Sequence, residues 1–154
     1  MNKKKILCRV LLITMMVIIF IFSNQDGNQS TNLSNFFAKI FNIYGDQGTE
    51  PSAIKLLFGL TIRKYAHIFV YFLLGMFAFG SLYEKENMWT RPIIAIIICY
   101  SYAAIDEFHQ YFVPGRAGRF TDTLIDAIGF VTAIVICRLG GILYRGRIAA
   151  NAKN

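Results

Sequence analysis

The sequence predicts an all-α integral membrane protein, a bundle of four transmembrane helices with a short amphipathic helix at the outer interface. Three observations carry that reading. Hydrophobic residues make up 55% of the 154 and charged residues only 16%, with a mean hydropathy of +0.46; a soluble domain of this length needs more polar surface to cover its core. Four apolar stretches approach or exceed the ~20 residues with which a helix crosses a bilayer. The basic residues gather at the ends of those stretches, not on a polar face. The net charge of +7 therefore fits lipid headgroups and argues against nucleic acid as a partner.

The first span covers residues 6–22, after the basic start Lys3-Lys-Lys5. No small-x-small cleavage pattern follows it and further apolar segments do, so it reads as a retained helix and not a signal peptide. From Leu33 the apolar positions Leu33, Phe36, Phe37, Ile40, Phe41 and Tyr44 share one face at the helical period, which predicts an interfacial amphipathic helix over residues 33–44. Gly45 to Ser52 is rich in turn formers, and residues 53–61 suit a second short helix.

The second span covers residues 65–83. Arg91-Pro92 opens the third, residues 93–112, with proline suited to a first helical turn, and Pro114-Gly115 breaks it. Thr121 has the chemistry of an N-cap for the fourth span, residues 123–144, which ends at Arg145 and Arg147. Ten lysines and arginines fall at the ends that share a side with the N-terminus, against six on the other side. The positive-inside rule then places both termini in the cytoplasm. Cys8, Cys99 and Cys137 are far apart in apolar stretches and read as small apolar fillers.

The costly residues collect on the outer side. Lys64, His67 and Tyr71 share a face of the second span, with Gly75 and Ala78 continuing it as a close-packing stripe. Asp106, Glu107 and Gln110, with His109 beside them, lie near the outer end of the third. Asp122 and Asp126 run into Gly129 and Ala133 on the fourth. Ionisable groups inside a membrane must pair or line a wet cavity. The expectation is an outward-facing pocket in which His67, Tyr71, Asp106, Glu107, Gln110, Arg116, Asp122 and Asp126 bind a ligand, with Arg116 and the start of the fourth helix favouring anions.

Plainer readings stand beside this one. Asp122 also suits a first-turn acid on a helix dipole, Arg116 an anchor among headgroups, His67 a buried, satisfied histidine, and the whole cluster an ion-pair network locking the helices. No H-E-x-x-H, G-x-S-x-G or Cys/His ligand spacing occurs, so no cofactor or metal is expected of a binding site; only an enzymatic reading leaves room for a divalent metal held by Glu107, Asp122 or Asp126.

Three segments resemble the VanZ-like family of bacterial membrane proteins. Residues 22–30 (FSNQDGNQS) are similar to its S-x-Q-x-G-x-x-S stretch, and residues 63–71 (RKYAHIFVY) to its K-x-x-H-x-x-x-Y segment. Residues 105–116 (IDEFHQYFVPGR), with Asp122 and Asp126 following, are similar to its D-E-x-x-Q-x-x-x-P-x-R motif and trailing acids. The resemblance implies a plasma-membrane protein associated with low-level resistance to teicoplanin-type lipoglycopeptides.

Two functions compete. In one the outer pocket binds a lipid or a lipid-linked cell-wall precursor, or acts on access of the lipoglycopeptide, without catalysis. In the other the protein is an intramembrane hydrolase or transferase with Glu107 or His67 as general base and Asp122 near them. A transporter is disfavoured, because the carboxylates cluster near one surface and no inverted repeat is visible.

Overall fold

A computed structural model of the protein describes residues 3–25, 62–82, 89–116 and 118–152. The expected interfacial helix over 33–44 and the short helix over 53–61 lie outside the described residues. The described residues form four helices and no strand: α1 Lys3–Ser23, α2 Ile62–Ser81, α3 Thr90–Gln110 and α4 Phe120–Asn151. All four are long and apolar enough to cross a membrane.

Partners at the helix ends fix the directions. Arg91, at the start of α3, donates from Nε (2.9 Å) and Nη2 (2.7 Å) to the Phe79 carbonyl near the end of α2. Arg116, just after α3, bonds the Phe22 and Gln25 carbonyls at the end of α1. The helices therefore alternate up and down. One end, here the polar end, gathers the C-termini of α1 and α3 with the N-termini of α2 and α4. The opposite, basic end carries Lys3, Lys4, Lys5, Arg9, Arg91 and Arg138, with Arg145 and Arg147 beyond.

The seam between α2 and α4 positions the site, and glycine makes it. A Cβ on Gly75 would stand 2.7 Å from the Phe130 Cα and carbonyl oxygen, and one on Gly129 would collide with the Ile68 carbonyl oxygen. Each backbone thus lies directly on the other, with Ala78 and Ala133 fully buried along the same line. Small residues are what allow this in lipid, where no hydrophobic force drives helices together and close van der Waals packing must hold them. The stripe expected from Gly75, Ala78, Gly129 and Ala133 is this seam. Around it pack Tyr71, Leu74, Ala95, Cys99, Ala103, Phe130 and Ile134. Outward-facing apolar side chains such as Phe69, Ile97, Leu124 and Val135 remain exposed, as lipid-facing positions should. The three cysteines are free thiols, and Cys99 fills the core at 0% exposure.

Each helix end differs from the sequence reading, by one to three residues except at the end of α4, and the two ends of α4 bear most on the site. The helix α4 begins at Phe120, and its N-cap residue is Arg119 in extended backbone (φ −129°, ψ 124°) with no side-chain cap bond. Thr121 therefore lies inside the first turn and is not the cap. The start is fixed from outside the helix: the Arg119 N–H donates to Glu107 Oε2 at 2.9 Å. Gly118 is pressed onto the end of α3, where a Cβ would stand 2.6 Å from the Glu107 carbonyl oxygen. At its other end α4 runs on past residue 144 to Asn151, 32 residues and about 48 Å. Arg145 and Arg147 mark an interface but do not break a helix, and no proline follows to do so. From Leu139 to Ala152 every residue is exposed, so this last stretch stands clear of the bundle.

Candidate functional site at the polar end

The sequence brings the site together through helical period. Lys64, His67 and Tyr71 descend one face of α2, and Asp122 and Asp126 descend the facing side of α4. Because the two helices run parallel, they meet rung by rung. Outermost, Lys64 Nζ lies 3.6 Å from Asp122 Oδ1, both side chains partly exposed. One turn deeper, His67 Nδ1 lies 3.2 Å from Asp126 Oδ1, and Asp126 is fully buried. Deeper still the glycine seam closes the space.

A second chain of bonds crosses to α3. The Tyr71 hydroxyl donates to Asp106 Oδ2 at 3.1 Å, and Gln110 Nε2 donates to the same oxygen at 3.0 Å. Arg116 Nη1 donates to Gln110 Oε1 at 3.1 Å. The rings of His67 and Tyr71 stack, centroids 6.4 Å apart, and join the two chains. Six of the eight expected site residues thus fall on one connected surface: His67, Tyr71, Asp106, Gln110, Arg116 and Asp126. Asp122 joins at its exposed rim through Lys64. Glu107 stands apart, its carboxylate on the backbone that starts α4.

Arg116 has a task the sequence did not announce. Its Nη2 and Nε donate to the Phe22 (2.6 Å) and Gln25 (2.9 Å) carbonyls at the end of α1, where carbonyls run short of helical partners; Phe22 O otherwise has only a long bond from the Gln25 N–H (3.4 Å). The Pro114-Gly115 turn delivers it there: Gly115 has φ 73°, the left-handed value the third position of a type II turn demands, and Arg116 N bonds Val113 O at 3.1 Å. The guanidinium therefore splices α1 to the carboxylate network.

Not every polar atom here finds a partner. Among the described residues, six buried side-chain polar atoms make no hydrogen bond: Ser23 Oγ, Asp106 Oδ1, His109 Nε2, Thr123 Oγ1, Asp126 Oδ2 and Arg138 Nε. All but Arg138 belong to the polar end. Buried polar groups are normally satisfied, and an orphan inside a membrane is costlier still. His109 is turned toward α1, its ring stacked on Phe20 at 5.0 Å, away from the carboxylates. Thr123 is the residue sequence reasoning missed. It is 1% exposed and sits one turn before Asp126. Its spacing of three from Asp126 was the available signal, masked because threonine in an apolar helix ordinarily bonds its own backbone.

Chemically the site is rich in acceptors. Asp106 and Asp126 each spend one oxygen on protein donors and keep the other unmatched. Among the described residues, no group of three or more His, Cys, Asp or Glu is placed to hold a metal ion. Residues 9–143 match the family model described as VanZ/LLP1. No curated protein and no solved structure matches the chain.

Proposed function

The chain belongs to the VanZ/LLP1 family, and from that premise we propose that it is a cell-envelope protein of the bacterial plasma membrane whose polar end binds the headgroup of a lipid or lipid-linked cell-wall precursor. Both termini are cytoplasmic in this reading, in keeping with the lysines and arginines at the basic end, and the polar end faces outward. Occupying such a headgroup limits how a lipoglycopeptide engages its target. That antibiotic gains avidity from anchoring to membrane and precursor together, so weakening either hold weakens both. The observation that carries the reading is the pair of buried carboxylates, Asp106 and Asp126, each with one oxygen unmatched at membrane depth.

The test is susceptibility of a sensitive Gram-positive host expressing the chain, scored against teicoplanin and against vancomycin, which lacks a lipid tail. The expected result is selective protection against teicoplanin that Asp126→Asn removes at matched membrane abundance. Protection that persists in Asp126→Asn would count against the site. No protection by the unaltered chain would remove the link to lipoglycopeptides.

One observation favours the enzymatic reading as well. A carboxylate on Nδ1 holds the His67 ring with its proton on that nitrogen and leaves Nε2 as the acceptor, the arrangement of an oriented general base. In that reading His67, not Glu107, is the base, since the Glu107 carboxylate is held by the Arg119 N–H. Hydrolysis of a lipid-linked substrate that His67→Gln abolishes, with substrate still retained, would establish it over simple binding.

A further inference from the structure

We infer that the group received between α2, α3 and α4 is a primary ammonium, and that Asp106 Oδ1, Thr123 Oγ1 and Asp126 Oδ2 are its acceptors. The inference rests on the headgroup-binding reading above and names the chemistry of that site.

Hydrogen-bond bookkeeping separates the candidate ligands. For a phosphate the site must offer donors, and apart from Lys64 at the exposed rim and the Thr123 hydroxyl its side-chain donors point at protein acceptors. The Tyr71 hydroxyl and the Gln110 amide are spent on Asp106, and His67 Nδ1 on Asp126. Three nitrogens of Arg116 reach carbonyl oxygens of α1 and Gln110. One of the backbone donors at the start of α4, the Arg119 N–H, is taken by Glu107. What is left without a partner is two carboxylate oxygens, which accept, and one hydroxyl, which accepts as well as donates. Asp106 is 4% exposed, Thr123 1% and Asp126 0%, and each holds an oxygen without a partner among the described residues.

Thr123 is the independent sign. Thr14 and Thr132 are exposed, and their hydroxyls bond back to the Val10 (2.9 Å) and Ile128 (2.6 Å) carbonyls, the usual way a helix in lipid satisfies threonine. Thr123 is buried on the carboxylate face and does not. A primary ammonium carries three N–H donors, no acceptor and a positive charge. It matches three oxygens of which two belong to carboxylates, whereas a quaternary ammonium offers the charge without a single donor. Asp106 lies four residues from the end of α3, about 6 Å in, and Asp126 six residues from the start of α4, about 9 Å in. Both lie within two helical turns of the polar end.

The chemistry has two sources, an aminated lipid headgroup or a free amine, and one experiment separates them. The protein is reconstituted in nanodiscs of phosphatidylglycerol mixed equally with phosphatidylethanolamine or with phosphatidylcholine, and lipids retained by the released protein are counted by native mass spectrometry. Phosphatidylethanolamine should be retained about tenfold over phosphatidylcholine, the scale of a charge-assisted hydrogen bond. Asp106→Asn and Thr123→Val should each erase that preference. Thr123→Val is the fold-safe variant, because the hydroxyl it removes bonds nothing in the described protein.

Displacement of the lipid by free ethanolamine supports the same site with a soluble amine as its source; resistance to displacement supports the lipid. Equal retention of the two lipids overturns the inference, as does a preference that survives both substitutions. If the variants lose both lipids equally, headgroup binding stands and only the ammonium falls. If teicoplanin protection persists in variants that retain no lipid, the headgroup-binding reading itself falls.

Discussion

At the basic end of the bundle, arginines are turned onto the protein itself: Arg91 donates twice to the Phe79 carbonyl while lying 3.8 Å over the Phe79 ring, and Arg138 covers Trp89 at 3.9 Å, its Nε the one buried polar atom at this end without a hydrogen bond among the described residues. At the polar end, Asp106, Thr123 and Asp126 are more deeply buried than those two arginines, yet each keeps an oxygen without a partner among the described residues. The first arrangement closes a helix end that would otherwise expose carbonyls to lipid. The second leaves a cost unrecovered within the described protein. Membranes penalise unsatisfied polar atoms heavily, so the difference teaches where to look for a ligand. Arg116 sharpens the contrast, since it lies at the polar end but behaves like Arg91, capping α1 as Arg91 caps α2.

The comparison can be broken most severely at the seam both ends share. Gly129→Leu drives a side chain into the Ile68 carbonyl and should cost at least about 3 kcal/mol. The expected outcome is no monodisperse protein by size-exclusion chromatography in detergent; a folded, active variant would show that the α2–α4 contact is not what sets the site.

Next comes Arg91→Ala, which strips two bonds from Phe79 O and the ring contact, about 2–3 kcal/mol together. The Tm should fall while protection per folded molecule is unchanged. Arg116→Ala should cost a similar stability, about 2 kcal/mol, and lower Tm accordingly, since it uncaps Phe22 and Gln25. Because it also releases Gln110 from its place beside Asp106, protection should fall too. If Arg116→Ala keeps full stability and loses only function, the parallel with Arg91 is wrong and the guanidinium belongs to the ligand. The smallest effect is expected at Lys64→Ala. The Lys64–Asp122 pair is partly exposed and spans 3.6 Å, so its loss should change stability by less than about 1 kcal/mol.

Much of this was legible in the sequence. Helical period set His67 and Tyr71 on one face, and Asp122 and Asp126 on another. The small residues beyond them, Gly75 and Gly129, announced which faces would meet. What was not legible is non-local. Arg116 finds its carbonyls 91 and 94 residues earlier in the chain, and no periodicity reports a contact made through the end of another helix. Glu107 reads in the sequence as a ligand-binding residue and, with His67, a candidate base; its partner is the Arg119 backbone N–H, invisible to side-chain patterns. The same bond moved the start of α4 ahead of Thr121, which has the better cap chemistry. Thr123 was overlooked because its ordinary role, bonding its own helix, is the one that Thr14 and Thr132 perform.

Thr123→Val decides between an end built for a ligand and an end that is merely imperfect. Its Tm and its teicoplanin protection should be measured on the same membranes, with Arg91→Ala alongside. A polar end built to bind predicts that Thr123→Val keeps or raises Tm, since an unsatisfied buried hydroxyl is replaced by a methyl of similar shape, and that it loses protection. A lower Tm with protection intact would show that Thr123 serves the fold, and would contradict the account.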